Sequence, residues 1–202
     1  PDTPFSLHDL VDDLEALRSA LGVERAHFAG HSLGGMIGPA YARRYPDRVR
    51  SLGLWSTAAF RTPDDSAKVN AVVSAMRRKG IPRVLDTLSA RWFTDEFIAE
   101  RPDLIEKRKQ QVIDTPADVF LNVFDIYAQT ELAPWLHEIS VPCQLVTGAQ
   151  DGGCNPRLNR EMTDALPNAE LVILDNLKHA IFIEATERIL PIVREFLIRQ
   201  DN

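Results

Sequence analysis

The apolar residues near the start of the chain recur at intervals of three and four, which predicts an amphipathic helix over residues 6–21. The leucines of this face are Leu10, Leu14, Leu17 and Leu21. Ser6 and Asp9 have the spacing of a capping box, and Gly22 follows as a helix stop.

Short apolar runs then alternate with helical patterns, which indicates strands separated by helices. Residues 26–29 and 51–55 are predicted strands, with a helix between them that ends near Tyr45, before Pro46. Pro39 lies inside that helix, where proline usually breaks the hydrogen-bond ladder. Strand, helix and strand in this order predict a parallel sheet. The alternation resumes after Pro142 with a strand over 143–147, a helix over 158–166, a strand over 171–174 and a helix over 185–200.

The middle of the chain, from about residue 60 to 135, has helical patterns throughout. The predicted helices cover 64–79, 84–92, 103–113 and 117–128. Hydrophobic residues make up 45% of the 202, enough for one domain with an inserted lobe. The sequence thus predicts an α/β fold interrupted by a helical insertion.

Charge and cysteine content narrow the classes of protein. The formal net charge is −6, which disfavours a nucleic-acid-binding protein, and apolar runs are too short for a membrane span. Cys143 and Cys154 are too few to form a disulfide framework, so we expect reduced thiols and a cytoplasmic protein.

The segment Gly30-His31-Ser32-Leu33-Gly34 has the pattern Gly-x-Ser-x-Gly between a predicted strand and a predicted helix. This pattern indicates a nucleophilic serine on a sharp turn, and both glycines are expected to leave room for strand and helix to pass closely. The N–H of Leu33 is then a predicted oxyanion donor. The alternative is that Ser32 is only a turn residue.

A serine nucleophile needs a base and an acid. Asp151 follows the strand over 143–147, and His179 follows the strand over 171–174, so both lie at carboxyl ends of predicted strands, as Ser32 does. We predict that His179 is the general base and Asp151 its orienting carboxylate. Asp175 is the alternative acid, and the alternative for His179 is a surface loop histidine.

On these motifs the chain resembles the α/β-hydrolase superfamily, and more loosely its branch of 3-oxoadipate enol-lactonases and small carboxylesterases. The resemblance includes Gly35 directly after the Gly-x-Ser-x-Gly turn and Glu184 five residues after His179. It also includes Thr147 to Asp151, the loop that carries the acid. It implies an α/β-hydrolase fold, with residues 1–59 and 136–202 as core and 60–135 as a helical cap. The chain departs from the usual pattern at Lys178, Thr186 and Cys154.

The resemblance also implies that these hydrolases have further N-terminal strands and a second oxyanion donor that this chain does not contain. We therefore expect a preceding segment, or a second chain, to complete the sheet beside residues 26–29.

The predicted function is hydrolysis of a small carboxylic ester or lactone through an acyl-enzyme, without metal or organic cofactor and without nucleic-acid or membrane partners. Trp92, Phe124 and Tyr127 are candidates for the walls of the substrate pocket, or simply for the core of the cap. Two alternatives stay open: a C–C hydrolase or perhydrolase that uses the same residues, and a ligand-binding protein that has lost turnover.

Overall fold

The computed structural model describes residues 4–201, which form a parallel four-stranded sheet with helices on both faces. The strands lie in the order β1 (Ala26–His31), β2 (Val49–Trp55), β3 (Cys143–Gly148) and β4 (Ala169–Leu174). The helices are α1 (Leu7–Ala20), α2 (Leu33–Arg44), α3 (Pro63–Lys79), α4 (Leu85–Trp92), α5 (Asp95–Glu100), α6 (Pro102–Asp114), α7 (Ala117–Gln129), α8 (Pro156–Ala165), α9 (Ile181–Glu184) and α10 (Thr186–Asp201). Among these helices, none is both long and apolar enough to cross a membrane.

The strand register brings the carboxyl ends of all four strands to one edge of the sheet. His31 pairs with Trp55, Trp55 pairs with Val146, and Gly148 pairs with Leu174. Because the strands are parallel, the turns that follow them lie side by side. This edge therefore collects the loops that carry Ser32, Asp151 and His179.

Successive side chains of a strand point to opposite faces of the sheet, so the core is divided between the two faces. Leu52 and Leu54 of β2 are fully buried on the side covered by α1, α2 and α8. Trp55 packs on the opposite side, in an apolar cluster with Val146, Ile181 and other residues of α9 and α10. β3 is buried at every position, as a central strand covered on both faces should be.

The first helix forms where the sequence predicts it, and the capping box between Ser6 and Asp9 is present. Its leucine stripe is only partly covered, because Leu17 and Leu21 are 56% and 67% exposed. Val11, which lies off the stripe, is the buried residue of the helix. Since α1 contacts α2 at one flank, the packing partner rather than the leucine period selects the buried face.

Strand β1 lies at the edge of the sheet. Leu10, Leu14 and Leu17 of α1, with Phe28 of β1 and Ile37 of α2, line a groove beside this edge. Within residues 4–201, β1 has β2 as its strand partner. A further segment or second chain pairing with this edge stays a prediction.

Element boundaries differ from the predicted ones by up to two residues at most ends. Two short helices, Asp95–Glu100 and Ile181–Glu184, were not predicted because each is too short to show an apolar period. Helix α2 continues through Pro39 to Arg44. The proline is buried there and its missing N–H leaves the ladder one bond short.

The chain between β2 and β3 is helical, as predicted. Helices α3, α4, α6 and α7 pack around an apolar cluster of their own, which consists of Val73, Met76, Ile81, Val84, Leu85, Leu88, Val112 and Phe120. This helical segment, residues 63–129, lies above the edge of the sheet where the candidate catalytic loops meet. The exact division into core and cap stays a prediction.

Candidate active site

Ser32 lies in the turn between β1 and α2 in a backbone conformation that is rare for a side-chain-bearing residue. Its φ is 56° and its ψ is −117°. The turn is fixed by hydrogen bonds from Ser32 N to the carbonyl of Trp55 (2.9 Å) and from Gly35 N to the carbonyl of Ser32 (3.0 Å). Residues held in such conformations cost about 1–3 kcal/mol and cluster at functional sites. Leu33 begins α2, so its N–H belongs to the first turn, where helix donors have no intrahelical acceptor.

The two glycines of the motif have different environments. A Cβ on Gly30 would lie 2.2 Å from the carbonyl carbon and oxygen of Gly34, closer than atoms can approach. A Cβ on Gly34 would meet no described atom within 4 Å outside its chain neighbours and the backbone of its own helix. The expectation that both glycines provide clearance is therefore wrong for Gly34. Gly35 is the second tight position, since its Cβ would lie 2.6 Å from Cβ of Thr57.

This asymmetry predicts unequal effects of alanine at the two motif glycines. Gly30→Ala should destabilise the protein by about 3 kcal/mol, the upper end for overpacked sites, because the clash is with backbone that cannot rotate away. Gly34→Ala should stay within about 1 kcal/mol of the wild type, since alanine is favoured over glycine in a helix. Urea unfolding of the two variants measures the difference. Equal losses would contradict this account of the turn.

Asp151 and His179 form the predicted pair. His179 Nδ1 donates to Oδ2 of Asp151 over 2.7 Å. The other oxygen of Asp151 accepts hydrogen bonds from Gly153 N (2.9 Å) and Cys154 N (2.8 Å). The Asp151 carboxylate is therefore fixed from both sides, and it leaves Nε2 of His179 available for proton transfer.

Asp175, the alternative acid, does not occupy this place. It is exposed in the turn after β4, where its carbonyl oxygen accepts hydrogen bonds from the guanidinium of Arg188 at 3.2 and 3.3 Å. The carboxylate that forms a hydrogen bond with His179 is that of Asp151. Geometry thus favours Asp151 over Asp175.

Burial and the neighbouring charges shift the pKa values of this pair in opposite directions. Burial opposes ionisation of Asp151, but the neighbouring His179 and the two backbone N–H donors together lower its pKa. Burial also opposes the charge on His179, and the Asp151 carboxylate outweighs it and raises the histidine pKa above 6.5. The pair therefore favours the imidazolium, which is the form that arises when a serine gives up its proton.

The acid loop and the histidine loop are joined by backbone contacts. Gln150 N donates to the carbonyl of Leu177 (2.8 Å). A Cβ on Gly148 would lie 2.2 Å from the carbonyl oxygen of Lys178, so only glycine fits this crossing. The sequence carries no local signal for this contact, since the two loops are about 30 residues apart.

Ser32 and His179 open into one cavity of about 610 Å³ beneath the helical segment. Of the candidate pocket residues, Trp92 and Phe124 line this cavity, and Tyr127 lines its continuation toward Asp151. Within the described chain, no direct hydrogen bond joins Ser32 to His179. Such contacts are often long in the free enzyme and shorten when substrate binds.

Cys154, one of the two predicted reduced thiols, lies beside the Asp151–His179 pair. Its Sγ is 3.3 Å from the hydroxyl of Tyr127. Burial and the Asp151 charge raise the pKa of the thiol, which keeps it protonated. Asp151, Cys154 and His179 offer possible metal ligands within 4.8 Å of one another. Because Asp151 is already fully hydrogen-bonded and pairs with His179, a cation there would have to break the Asp–His contact.

His31, Asn159 and Thr147 support the site through hydrogen bonds that the sequence does not predict. Burial and the adjacent His179 lower the pKa of His31 to about 4, so its neutral Nε2–H donates to the carbonyl of His179 over 2.8 Å. Asn159 Nδ2 and Thr147 Oγ1 both donate to the carbonyl of Cys154, at 2.9 and 2.7 Å. These contacts fix the two loops from below.

The helical segment is attached directly to the histidine loop. Ala180 N donates to the carbonyl of Trp92 over 2.8 Å, and Lys178 Nζ donates to the carbonyl of Ala90 over 2.9 Å. The carboxylate of Glu184 accepts from both N and Oγ1 of Thr94, at 3.0 and 2.6 Å. Trp92 is thereby held at a fixed place relative to His179.

The sheet order, the strained serine turn and the Asp–His pair define an α/β-hydrolase arrangement. The chain belongs to the alpha/beta hydrolase fold family, whose sequence model matches residues 1–186. It is 29% identical over 151 residues to 3-oxoadipate enol-lactonase 2 of Acinetobacter baylyi, an alignment that covers 75% of this chain and 56% of that enzyme. It is 26% identical over 192 residues to 3-oxoadipate enol-lactonase 1 of the same organism, covering 95% of this chain and 71% of the relative.

Similarity extends to solved structures. The crystal structure of the enol-lactonase from Burkholderia xenovorans LB400 superposes with a TM-score of 0.88 at 26% identity, and the match covers 98% of this chain and 75% of that one. The chain therefore spans between 56% and 75% of the length of these three relatives.

Proposed function

We propose that this protein is a serine hydrolase that cleaves a carboxylic ester or lactone of a small molecule through an acyl-enzyme on Ser32. The observation that carries the proposal is one juxtaposition. The strained Ser32 turn and the 2.7 Å Asp151–His179 pair open into the same cavity. The names of the relatives, which are lactonases, support the ester and lactone class.

In the proposed reaction, Oγ of Ser32 attacks the carbonyl carbon while its proton passes to Nε2 of His179. The N–H of Leu33 stabilises the negative oxygen of the tetrahedral intermediate. The imidazolium then protonates the leaving alkoxide as the C–O bond breaks, and the acyl group stays on Oγ. A water molecule then takes the place of Ser32 in a second round of the same steps. It gives its proton to Nε2 of His179 and attacks the acyl carbon. The bond to Oγ breaks, the acid is released, and the proton returns from Nε2 to Oγ.

Each step in this scheme uses side chains and backbone of the chain together with water. Trp92, Phe124 and Tyr127 serve as walls of the substrate pocket in the proposal, because all three border the space above Ser32. The cytoplasmic location and the absence of nucleic-acid and membrane partners remain predictions from the sequence.

The test is a pre-steady-state burst of nitrophenol from a short-chain nitrophenyl ester, combined with labelling by a fluorophosphonate probe. We expect a burst equal to the enzyme concentration and a label on the tryptic peptide of residues 26–43, which contains Ser32. A C–C hydrolase or a ligand receptor would turn the ester over only feebly. A label that maps to another serine would remove Ser32 from the proposal.

A further inference from the structure

Cys154 adds a third metal-ligand atom to the Asp151–His179 pair. A carboxylate oxygen of Asp151, Sγ of Cys154 and a ring nitrogen of His179 lie within 4.8 Å of one another. Among residues 4–201, this is the group of three histidine, cysteine or acidic side chains that is compact enough to share one ion. Asp151 and Cys154 are buried and His179 is partly buried, which distinguishes the group from clusters of acidic side chains on a protein surface.

The acid loop holds the backbone of Cys154 in place. Its N–H donates to Oδ1 of Asp151 over 2.8 Å. Its carbonyl accepts hydrogen bonds from Oγ1 of Thr147 (2.7 Å) and Nδ2 of Asn159 (2.9 Å). The Sγ contacts the hydroxyl of Tyr127 at 3.3 Å. The position of the thiol beside the catalytic pair is therefore set before any ion binds.

An ion can reach the three ligand atoms from the substrate cavity. Asp151, Cys154 and His179 all border the space above Ser32. The other thiol, Cys143, is enclosed in the central strand β3, which is buried at every position. Cys154 is thus the thiol that an ion entering the cavity would meet.

The three donors suit a divalent cation that binds sulfur. Thiolate and imidazole ligands select ions such as Zn²⁺ and Cd²⁺, whereas Mg²⁺ prefers sites made of oxygen atoms. Ligand atoms around a tetrahedral Zn²⁺ lie about 3.4–3.6 Å apart, given Zn–N, Zn–O and Zn–S distances of about 2.0–2.3 Å. Shifts of about 1 Å would bring this group to such spacing, and the 2.7 Å contact between Asp151 and His179 would lengthen to about 3.4 Å.

We propose that Asp151, Cys154 and His179 form an inhibitory site for a thiol-binding divalent cation, which replaces the proton between the carboxylate and the imidazole. The thiol proton leaves to solvent as the metal–sulfur bond forms. The ion occupies Nδ1, so the proton that the imidazole carries is on Nε2. A protonated Nε2 cannot accept the proton of Ser32, and the base is lost. The inhibition rests on the proposed function, whereas the binding of the ion does not.

The first experiment measures inhibition of ester hydrolysis. Excess Zn²⁺ should inhibit the wild type on a short-chain nitrophenyl ester, EDTA should restore the rate, and Mg²⁺ should have no effect. Loss of a second-layer partner of a metal site costs about 10-fold to 100-fold in affinity, so loss of the sulfur ligand should cost at least about 100-fold. Cys154→Ser should therefore raise the Zn²⁺ concentration that halves its own uninhibited rate by at least about 100-fold. Cys154→Ala is the second variant and should behave in the same way.

Cys143→Ala is the matched control. It removes the other thiol, whose Sγ donates to the carbonyl of Val141 over 3.2 Å inside the fold. Its sensitivity to Zn²⁺ should equal that of the wild type. Zn²⁺ inhibition that persists in both Cys154 variants would overturn the site, because the ion would then act elsewhere. A wild type that excess Zn²⁺ does not inhibit would overturn the inhibitory role.

A binding measurement separates this proposal from the proposed function, because it needs no turnover. The Ser32→Ala variant should bind one Cd²⁺ with the ultraviolet charge-transfer absorption of a cadmium–thiolate bond. Ser32→Ala/Cys154→Ala should lose that absorption, and Ser32→Ala/Cys143→Ala should keep it. Absent absorption in Ser32→Ala, or absorption that follows Cys143, contradicts the metal site whether or not the protein hydrolyses esters. Cd²⁺ binding through Cys154 in a protein without labelling or turnover contradicts the proposed function alone.

Discussion

Ser32→Ala is expected to lower kcat for a nitrophenyl ester by about 10⁴-fold to 10⁶-fold, the scale seen when a triad serine is removed. The fold should remain intact, because Oγ of Ser32 makes no capping hydrogen bond in α2. The strained backbone is held by the hydrogen bonds of Ser32 N and Gly35 N, which alanine keeps. Steady-state kinetics and thermal unfolding measure the two effects.

Ser56→Ala is a matched control for this experiment. Ser56 follows β2 as Ser32 follows β1, and it also has a positive φ of 43°. Its buried hydroxyl has no hydrogen-bond partner among residues 4–201. Its removal should leave kcat within about twofold of the wild type, as for a substitution that breaks no interaction. If Ser32→Ala retained more than a small percentage of activity, the nucleophile would have to be assigned elsewhere.

Asp151→Asn is expected to lower kcat by up to about 10⁴-fold, because the amide cannot stabilise the imidazolium or hold the correct tautomer of His179. It should also change the pH dependence. The Asp151 carboxylate raises the pKa of His179 above 6.5, so in the wild type kcat/KM should increase with pH and reach half its maximum above pH 6.5. Removing the negative charge lowers that pKa, and the midpoint should move to lower pH.

Asp175→Asn is the control for this prediction. Its carboxylate is exposed in the turn after β4, and neither kcat nor the midpoint of the pH profile should change measurably. A larger loss for Asp175→Asn than for Asp151→Asn would transfer the acid role to Asp175. An unchanged midpoint in Asp151→Asn would contradict the electrostatic account of the pair.

Much of the secondary structure was predictable from the sequence because its signals are local. The capping box of Ser6 and Asp9 begins α1, and Gly80 follows the last residue of α3. The Gly-x-Ser-x-Gly turn joins β1 to α2, and its strained residue is Ser32, as the motif indicates. Strand patterns placed Asp151 and His179 after β3 and β4, and parallel topology implies that such loops share an edge.

The buried face of α1 was not predictable in the same way. A leucine period shows that a helix has an apolar side, but the helix it packs against determines how much of that side is covered. Here α2 covers Val11 and leaves Leu17 and Leu21 largely exposed. The clearance at Gly30 likewise depends on where the backbone of Gly34 lies, and the open space beside Gly34 depends on the course of α1 and β1.

The sequence alone determined the α/β order, the serine turn and the identity of the residues that could form an acid–base pair, because each depends on neighbours within a few positions. Tertiary structure decided the contacts between distant loops: His31 with the carbonyl of His179, Gly148 against Lys178, and Arg108 in the cavity of Ser32. These contacts join residues between 30 and 148 positions apart or depend on how α6 sits above the sheet. No local pattern encodes such distances, since the packing of whole helices and strands sets them.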